Sequence, residues 1–220
     1  MLLSQNIDKP EMIMDWKDFR TMARDLVNEK YIPVFGHFCN ELEQVVVECI
    51  LLAKKKGYEE MTFLINSNGG WNDAFTGIKS MMVITEIKFT GFVTSRARSN
   101  GFRLLQHCHR RLAVRNSELL FHWGQTRLDN NEIAALMNGQ TWPTEHVIKI
   151  RDAIVQEIHE RTDVPMKNLY EFALYDRPFT AEEGLALNFL DEIVEDTPQL
   201  IKKALSEHPD IPSESKDKKK

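Results

Sequence analysis

Residue types that could hydrolyse an amide or ester bond are concentrated between positions 61 and 122. This stretch contains the paired glycines Gly69-Gly70, the serine Ser99 and the histidine His122. Backbone N–H groups at a glycine turn can stabilise an oxyanion, a serine at a strand-to-helix turn can act as a nucleophile, and a histidine can accept its proton. These residues predict part of a serine-hydrolase site, whose third member must come from later in the chain.

Each of these residue types also has a common structural role. A serine before a helix is usually an N-cap, a single histidine is often a satisfied buried side chain, and Asp176 before Arg177-Pro178 could cap a turn. His107-Cys108-His109 has no second ligand pair at the spacing of a zinc site, and Gly69-Gly70 lacks the lysine of a phosphate loop. We therefore expect neither a metal nor a cofactor.

The hydrophobic pattern predicts an α/β domain that positions these residues. We assign strands to residues 31–35, 61–65, 87–94, 111–114 and 119–122, and helices to 13–30, 40–56, 73–82, 99–108, 130–137, 144–162, 163–174, 180–187 and 197–206. Residues 66–70 are predicted to turn, Asn40 is the candidate N-cap of the second helix, and Thr180 with Glu183 has the spacing of a capping box. Repeated strand–helix–strand order indicates right-handed crossovers in a largely parallel sheet.

The composition limits the classes of function. The 220-residue chain carries a formal net charge of −5, so nucleic acid is not an expected partner. Its three cysteines are odd in number and widely spaced, which is typical of a reducing compartment. We find neither a signal-peptide core nor an apolar run of membrane-spanning length, so we expect a cytoplasmic protein without a membrane partner. We divide the chain into a helical appendage (1–30), one main domain (31–196) and a helix with a disordered, lysine-rich tail (197–220).

Together with Asp176, these motifs resemble the proteolytic subunit of the Clp protease, a peptidase of the crotonase-like superfold. The run from Ile65 to Gly70 matches the family's Ile-Asn-Ser-Pro-Gly-Gly, with Asn68 in place of proline. Ser99-Asn100-Gly101 matches the family's Ser-Met-Gly. Asn116-Ser117 matches its Pro-Asn-Ser, and His122 matches the histidine of its Met-Ile-His. The run from Asp176 to Ala181 matches its Asp-Arg-Phe-Leu-Ser-Ala. The resemblance covers roughly residues 31 to 195.

The resemblance implies a fold, a reaction and a set of partners. It implies a spiral of ββα units with a long projecting helix, residues 144–162, for contact between rings. Ser99 would be the nucleophile, His122 the general base and acid, and Asp176 the residue that orients the histidine. Gly69, Gly70 and Asn100 would bind the substrate, and the backbone N–H groups of Gly70 and Asn100 would form the oxyanion hole.

The implied activity is that of a serine endopeptidase. It would hydrolyse protein substrates through an acyl-enzyme, inside a homo-oligomer of stacked rings that an AAA+ unfoldase feeds, and it would need no cofactor.

Two other functions stay open at this point. Arg96, Arg98 and Phe102 stand where the family has small residues around the serine, which is compatible with a non-catalytic ring or scaffold subunit. A crotonase-type acyl-CoA enzyme would share the fold and the oxyanion hole without needing the serine, histidine and aspartate. The chain order Ser, His, Asp and the absence of a Gly-x-Ser-x-Gly elbow disfavour an α/β-hydrolase.

Overall fold

The computed structural model describes residues 15–124 and 128–195, which form a mixed α/β fold around one mainly parallel sheet. The strands β1 to β4 and β7 lie side by side in that order, and all four of these pairings are parallel. β5 pairs in parallel with β3 and antiparallel with β6. The strands are β1 (Tyr31–Phe38), β2 (Glu60–Gly70), β3 (Lys88–Arg98), β4 (Arg110–Val114), β5 (Glu118–Leu120), β6 (Pro178–Thr180) and β7 (Glu192–Val194).

Eight helices lie within the described residues and connect or cover these strands. They are α1 (Trp16–Asn28), α2 (Asn40–Lys55), α3 (Asn72–Thr85), α4 (Asn100–Gln106), α5 (Asn130–Met137), α6 (Trp142–Thr162), α7 (Met166–Leu174) and α8 (Ala181–Ala186). The predicted α/β class is confirmed, because α2, α3 and α4 each join two neighbouring parallel strands. None of the helices in this part of the chain is long and apolar enough to cross a membrane.

The core lies between the sheet and these helices. The rings of Phe63 on β2 and Phe89 on β3 stack with their centroids 4.5 Å apart. The buried face of α1, with Phe19 and Ala23, belongs to the same hydrophobic cluster. Burial of such side chains contributes about 1.5–3 kcal/mol each, so the strands that lead to the site are firmly held.

Long-range pairing extends the strands beyond their predicted ends. The predicted turn over residues 66–70 is wrong. These residues belong to β2, because β1 continues to pair with β2 up to Phe38 and Gly70. β6 and β7 were not predicted, since three residues are too few to show an alternating pattern.

Several helix starts also differ from the prediction; α6, for example, begins at Trp142 and not at residue 144. Cys39, and not Asn40, is the N-cap of α2, and Asn40 is the first helical residue. α7 begins at Met166, since Pro165 precedes it in an extended conformation. The predicted helix 197–206 and the lysine-rich tail lie outside the described residues.

The long helix α6 covers the predicted residues 144–162 and begins two residues earlier. Its C-terminal half packs on the core through Val155 and Ile158, which are buried. Its N-terminal half leaves Ile148 and Ile150 exposed, at 55% and 44% of their surface.

Candidate active site

The glycine pair Gly69-Gly70, which we call the glycine turn, forms the last two residues of β2 just before the chain turns into α3, and it lies next to Ser99. Gly69 has a φ of +88° and Gly70 a φ of +147°, values that L side chains rarely adopt. A Cβ atom on Gly69 would lie 2.5 Å from the Cβ of Ser99, and one on Gly70 would lie 2.5 Å from the carbonyl oxygen of Phe38. Both positions therefore require glycine, for their backbone conformation and for their close neighbours.

The buried hydroxyl of Ser67 fixes the approach to this turn. Its Oγ donates to the carbonyl of Gly36 at 2.6 Å and accepts the N–H of Gly69 at 3.0 Å. The serine of the Ile-Asn-Ser run thus joins β1 to the glycine turn, which explains why a small hydroxyl residue suits that position.

Ser99 connects β3 to α4 in a strained conformation. Its φ of 52° and ψ of −120° are unusual for a residue with a side chain, and such backbone strain tends to occur at functional sites. Ser99 occupies the N-cap position of α4, yet its side chain makes no capping hydrogen bond. Its backbone N–H donates to the carbonyl of Leu120 at 2.8 Å. The hydroxyl is therefore not used as a helix cap, and Ser99 is fixed to the end of β5.

His122 and Asp176 meet through the pairing of β5 with β6. These strands pair Glu118 with Thr180 and Leu120 with Pro178, so continuing the register by two residues places His122 opposite Asp176. The Nδ1 atom of His122 lies 3.0 Å from Oδ1 of Asp176. The His122 side chain is 23% exposed and that of Asp176 68% exposed. Because a carboxylate only accepts hydrogen bonds, this contact assigns the imidazole proton to Nδ1 and leaves Nε2 as the basic nitrogen.

The site thus has two halves, which we call the turn half (Gly69, Gly70, Ser99 and Asn100) and the pair half (His122 and Asp176). The hydrogen bond from Ser99 to Leu120 joins them, because Leu120 is two residues before His122. A nucleophilic hydroxyl, a histidine and an orienting carboxylate are the groups that acyl transfer requires. The structure brings together the regions that carry all six predicted site residues, whose individual roles stay predictions.

Two of the three bulky residues around Ser99, Arg98 and Phe102, have partners away from it. The guanidinium of Arg98 forms an ion pair with Glu118 on β5 at 2.5 Å. Phe102 is fully buried, and its ring packs 5.7 Å from Phe121 and 5.0 Å from Phe189. Phe102 therefore belongs to the core, and Arg98 belongs to the pairing of β3 with β5.

Sequence reasoning missed two residues that bind the side chain of Asn100. Asn72, the first residue of α3, accepts a hydrogen bond from Asn100 Nδ2 at 3.1 Å. Arg103, one turn into α4, donates to Asn100 Oδ1 at 2.9 Å. The spacing of Asn100 and Arg103, which places them on one face of a helix, was the available signal, but nothing local points to Asn72.

His107 and the cysteines form no second reactive site within the described residues. His107 Nε2 lies 3.1 Å from Glu157, and within the described residues no group of three His, Cys, Asp or Glu side chains could hold a metal ion. All three cysteines are unpaired thiols. Burial raises the pKa of Cys49 to about 12 and that of Cys108 further, so neither forms the reactive thiolate.

Comparison with known proteins decides the family. The family model for the Clp protease matches residues 16–197 of this chain. The chain belongs to the Clp protease family. Its fold, with a parallel-rich sheet and eight helices among the described residues, is consistent with that family's fold.

Curated relatives support the same family at low identity. The chain is 26% identical over 171 residues to the ATP-dependent Clp protease proteolytic subunit of Deinococcus radiodurans, covering 75% of this chain and 78% of that one. It is 24% identical over 176 residues to the proteolytic subunit 2 of Bacillus licheniformis, covering 77% and 88%. It is 26% identical over 192 residues to the proteolytic subunit 2 of Thermobifida fusca, covering 83% and 89%. Peptidase activity is the activity that this family implies.

Proposed function

We propose that this protein is a serine endopeptidase that hydrolyses peptide bonds through an acyl-enzyme, with Ser99, His122 and Asp176 as its catalytic residues. The observation that carries the proposal is the strained backbone of Ser99, whose side chain does not cap α4 and whose N–H is bound beside the His122–Asp176 pair. Family membership supports the reaction class.

The reaction begins with a proton transfer from Ser99 to His122. As the Ser99 Oγ attacks the scissile carbonyl carbon, its proton passes to Nε2 of His122, and Asp176 stabilises the resulting imidazolium through Nδ1. The carbonyl oxygen becomes negatively charged in the tetrahedral intermediate. The backbone N–H groups of Gly70 and Asn100 are the donors that we assign to this oxygen.

Two further steps complete the cycle. The intermediate collapses, the C–N bond breaks, and the departing amine takes the proton from His122, which leaves an ester on Ser99. A water molecule then attacks this ester while His122 accepts one of its protons. Release of the carboxylic acid returns the proton to Ser99 Oγ.

The assembly that we propose is a homo-oligomer of stacked rings with the sites inside a chamber. The half-exposed apolar residues on the N-terminal half of α6 support a role for this helix in contacts between rings. The relatives are named as subunits of ATP-dependent proteases, which supports an AAA+ unfoldase as the partner that delivers protein substrates.

The packing around Ser99 favours an enzyme over a non-catalytic scaffold subunit. Such a scaffold would be supported if Arg98 folded over Ser99 with His122 beyond hydrogen-bond reach of the serine. Among the described residues the Ser99 hydroxyl makes no hydrogen bond to His122, which binds Asp176, so the position of Arg98 carries the comparison. Arg98 instead pairs with Glu118, and Phe102 fills the core beside Phe121. Nothing at the site specifically favours a crotonase-type acyl-CoA enzyme.

Labelling with a fluorophosphonate probe tests the proposal, because the probe reacts with an activated serine. We expect labelling of Ser99 in the full-length protein and none in Ser99→Ala, while hydrolysis of an unfolded protein substrate falls about 10⁶-fold. Ser95→Ala, which changes a serine four residues earlier on β3, is the matched control and should label normally.

The labelling should be resolved by oligomeric state on a sizing column. An assembled, folded protein that leaves Ser99 unlabelled would support the scaffold subunit instead. Measurable binding of a CoA thioester by that unlabelled protein would support the acyl-CoA enzyme.

A further inference from the structure

The side chain of Asn100 lies at the centre of a hydrogen-bond network between the two turns of the site. Asn100 is 2% exposed. Its Nδ2 donates to the carbonyl of Gly70 at 2.8 Å and to Oδ1 of Asn72 at 3.1 Å. Its Oδ1 accepts from Arg103 at 2.9 Å. Both amide protons and the amide oxygen are therefore used, at a position where the family has methionine.

The partners of Asn100 fix the orientation of its amide. A backbone carbonyl can only accept a hydrogen bond, and a guanidinium can only donate one. The nitrogen must therefore face Gly70 and the oxygen must face Arg103, so the reverse rotamer would lose both contacts. Arg103 is itself held in place, because its guanidinium stacks 4.1 Å from the ring centroid of Phe75.

The contact with Gly70 holds the peptide unit that follows the glycine turn. The carbonyl of Gly70 is bound by Asn100, and the N–H of Trp71 in the same peptide unit donates to the carbonyl of Phe38 at 2.9 Å. Gly70 has great freedom about φ and ψ because it lacks a Cβ. Bonds at both ends of this peptide unit remove that freedom and fix the direction of the neighbouring Gly70 N–H.

We infer that the Asn100 side chain is a positioning residue for the oxyanion hole, because it binds the carbonyl of Gly70 while the backbone N–H groups of the same two residues serve as the oxyanion donors. This inference rests on the proposed function. Oxyanion donors act only when they lie 2.7–3.1 Å from the developing charge, so their separation must be set before the substrate binds. The amide of Asn100 sets that separation directly, without contact to the substrate.

Kinetics of Asn100→Leu test the inference, since leucine has a similar volume and keeps the backbone N–H but loses the amide. We expect kcat for a peptide substrate to fall about 10- to 100-fold, with KM unchanged. Misplaced donors stabilise the transition state less, but they do not change the binding of the substrate. The affinity for a peptide boronate, which forms a tetrahedral adduct with serine, should fall by the same factor. Asn72→Ala leaves the bond to Gly70 intact and should give a smaller loss of kcat.

Asn188 provides a control with the same bonding pattern at an exposed position. Its amide also donates to a backbone carbonyl, that of Thr162 at 3.1 Å, and accepts from a buried arginine, Arg111, at 2.9 Å. We therefore compare Asn188→Asp with Asn100→Asp. Both remove an amide that donates to a backbone carbonyl, but only the change at Asn100 should lower kcat and boronate affinity.

The outcomes separate this inference from the proposed function. Loss of wild-type labelling at Ser99 would overturn both. Normal labelling of the wild type, with unchanged kcat and boronate affinity in Asn100→Leu, would leave the enzyme in place and reject the role of Asn100. Equal losses of kcat in Asn100→Asp and Asn188→Asp would also reject it, because such losses would come from a general effect on folding. If Asn100→Leu does not fold, an unchanged kcat in both Asn72→Ala and Asn100→Asp rejects it.

Discussion

The turn half and the pair half of the site are held in different ways. In the turn half, a Cβ added to Gly69 would lie 2.5 Å from the Cβ of Ser99, and the Asn100 side chain is buried with all its polar atoms bonded. In the pair half, one hydrogen bond joins His122 to an Asp176 side chain that is 68% exposed. Two residues of the turn half, Gly69 and Asn100, are thus buried in the fold, whereas the pair half depends on the short segments that follow β5 and precede β6. Substitutions of the two glycines and of Asn100 should therefore affect folding, whereas substitutions in the pair half should affect chemistry alone.

The first prediction concerns the pair half. Asp176→Asn should lower kcat about 10⁴-fold, because an amide cannot hold His122 in the required tautomer or stabilise its imidazolium. The free energy of unfolding should change by less than about 0.5 kcal/mol, as expected for a surface substitution. Steady-state kinetics and urea unfolding measure the two quantities.

Asp163→Asn is the matched control for this change. Asp163, at the C-terminal end of α6, is also an exposed aspartate with positive φ. Its φ is 60°, against 48° for Asp176. It should leave kcat unchanged. A loss of folding stability in Asp176→Asn that is absent from Asp163→Asn would show that the pair half also supports the fold, and the contrast between the halves would be wrong.

The second prediction concerns the turn half. Gly70→Ala should destabilise the protein by about 3 kcal/mol, because the new Cβ meets fixed backbone and the φ is unfavourable for alanine. The nearest atoms are the carbonyl oxygen and the nitrogen of Phe38, at 2.5 and 2.6 Å from the new Cβ. Denaturant unfolding gives the value.

Gly57→Ala is the control for the effect of positive φ alone. Gly57 has a φ of +76° and nothing within 4 Å of an added Cβ. Its substitution should cost about 1 kcal/mol. An equal loss of unfolding free energy in Gly70→Ala and Gly57→Ala would mean that the backbone around Gly70 moves to accept a Cβ. The turn half would then be less rigid than we describe.

The third prediction concerns the contacts of α6 with α3, which follows Gly70, and with α4, which follows Ser99. Glu157 on α6 binds Lys79 on α3 and His107 at the end of α4. Burial of the Glu157 carboxyl would by itself raise its pKa, but the hydrogen bonds from His107 and Lys79 outweigh burial and lower the pKa from 4.5 to about 2. Ionised Glu157 therefore stabilises the folded protein above pH 4.5, and this contribution is lost as the pH falls toward 2.

Unfolding of Glu157→Gln as a function of pH measures this contribution. Near neutral pH the variant should be less stable than the wild type by about 1 to 2 kcal/mol, a value reduced for partial exposure to solvent. The difference should shrink below pH 4.5 and disappear near pH 2. Glu160→Gln, on the exposed side of α6, controls for the loss of a carboxylate from this helix. If the difference in stability between the wild type and Glu157→Gln persists near pH 2, ionisation of Glu157 is not its source.

Features that depend on neighbouring residues were predicted well from the sequence. The helix over residues 130–137 has the predicted bounds, and the capping box of Thr180 with Glu183 opens α8. Periodic apolar residues and capping side chains act within one or two turns, so their pattern is visible locally. The order of the glycine pair, the serine, the histidine and the aspartate was also visible, and it led to the family.

Features that depend on distant residues were missed or wrong. β2 continues to Gly70 only because β1 provides a partner there, and β6 exists only because β5 lies beside it. The contacts of Asn100 with Gly70 and Asn72 join residues about thirty positions apart. Such pairs leave no trace in a local pattern.

The sequence by itself determined the fold class and the residue types of the candidate site, because hydrophobic periodicity and motif order are properties of the chain. The tertiary structure alone decided that the register of β5 and β6 places His122 opposite Asp176. It also decided that Ser99 adopts a strained backbone without capping its helix, and that Asn100 binds Gly70. These three features depend on the distance and direction between separate elements, and packing of the core sets both.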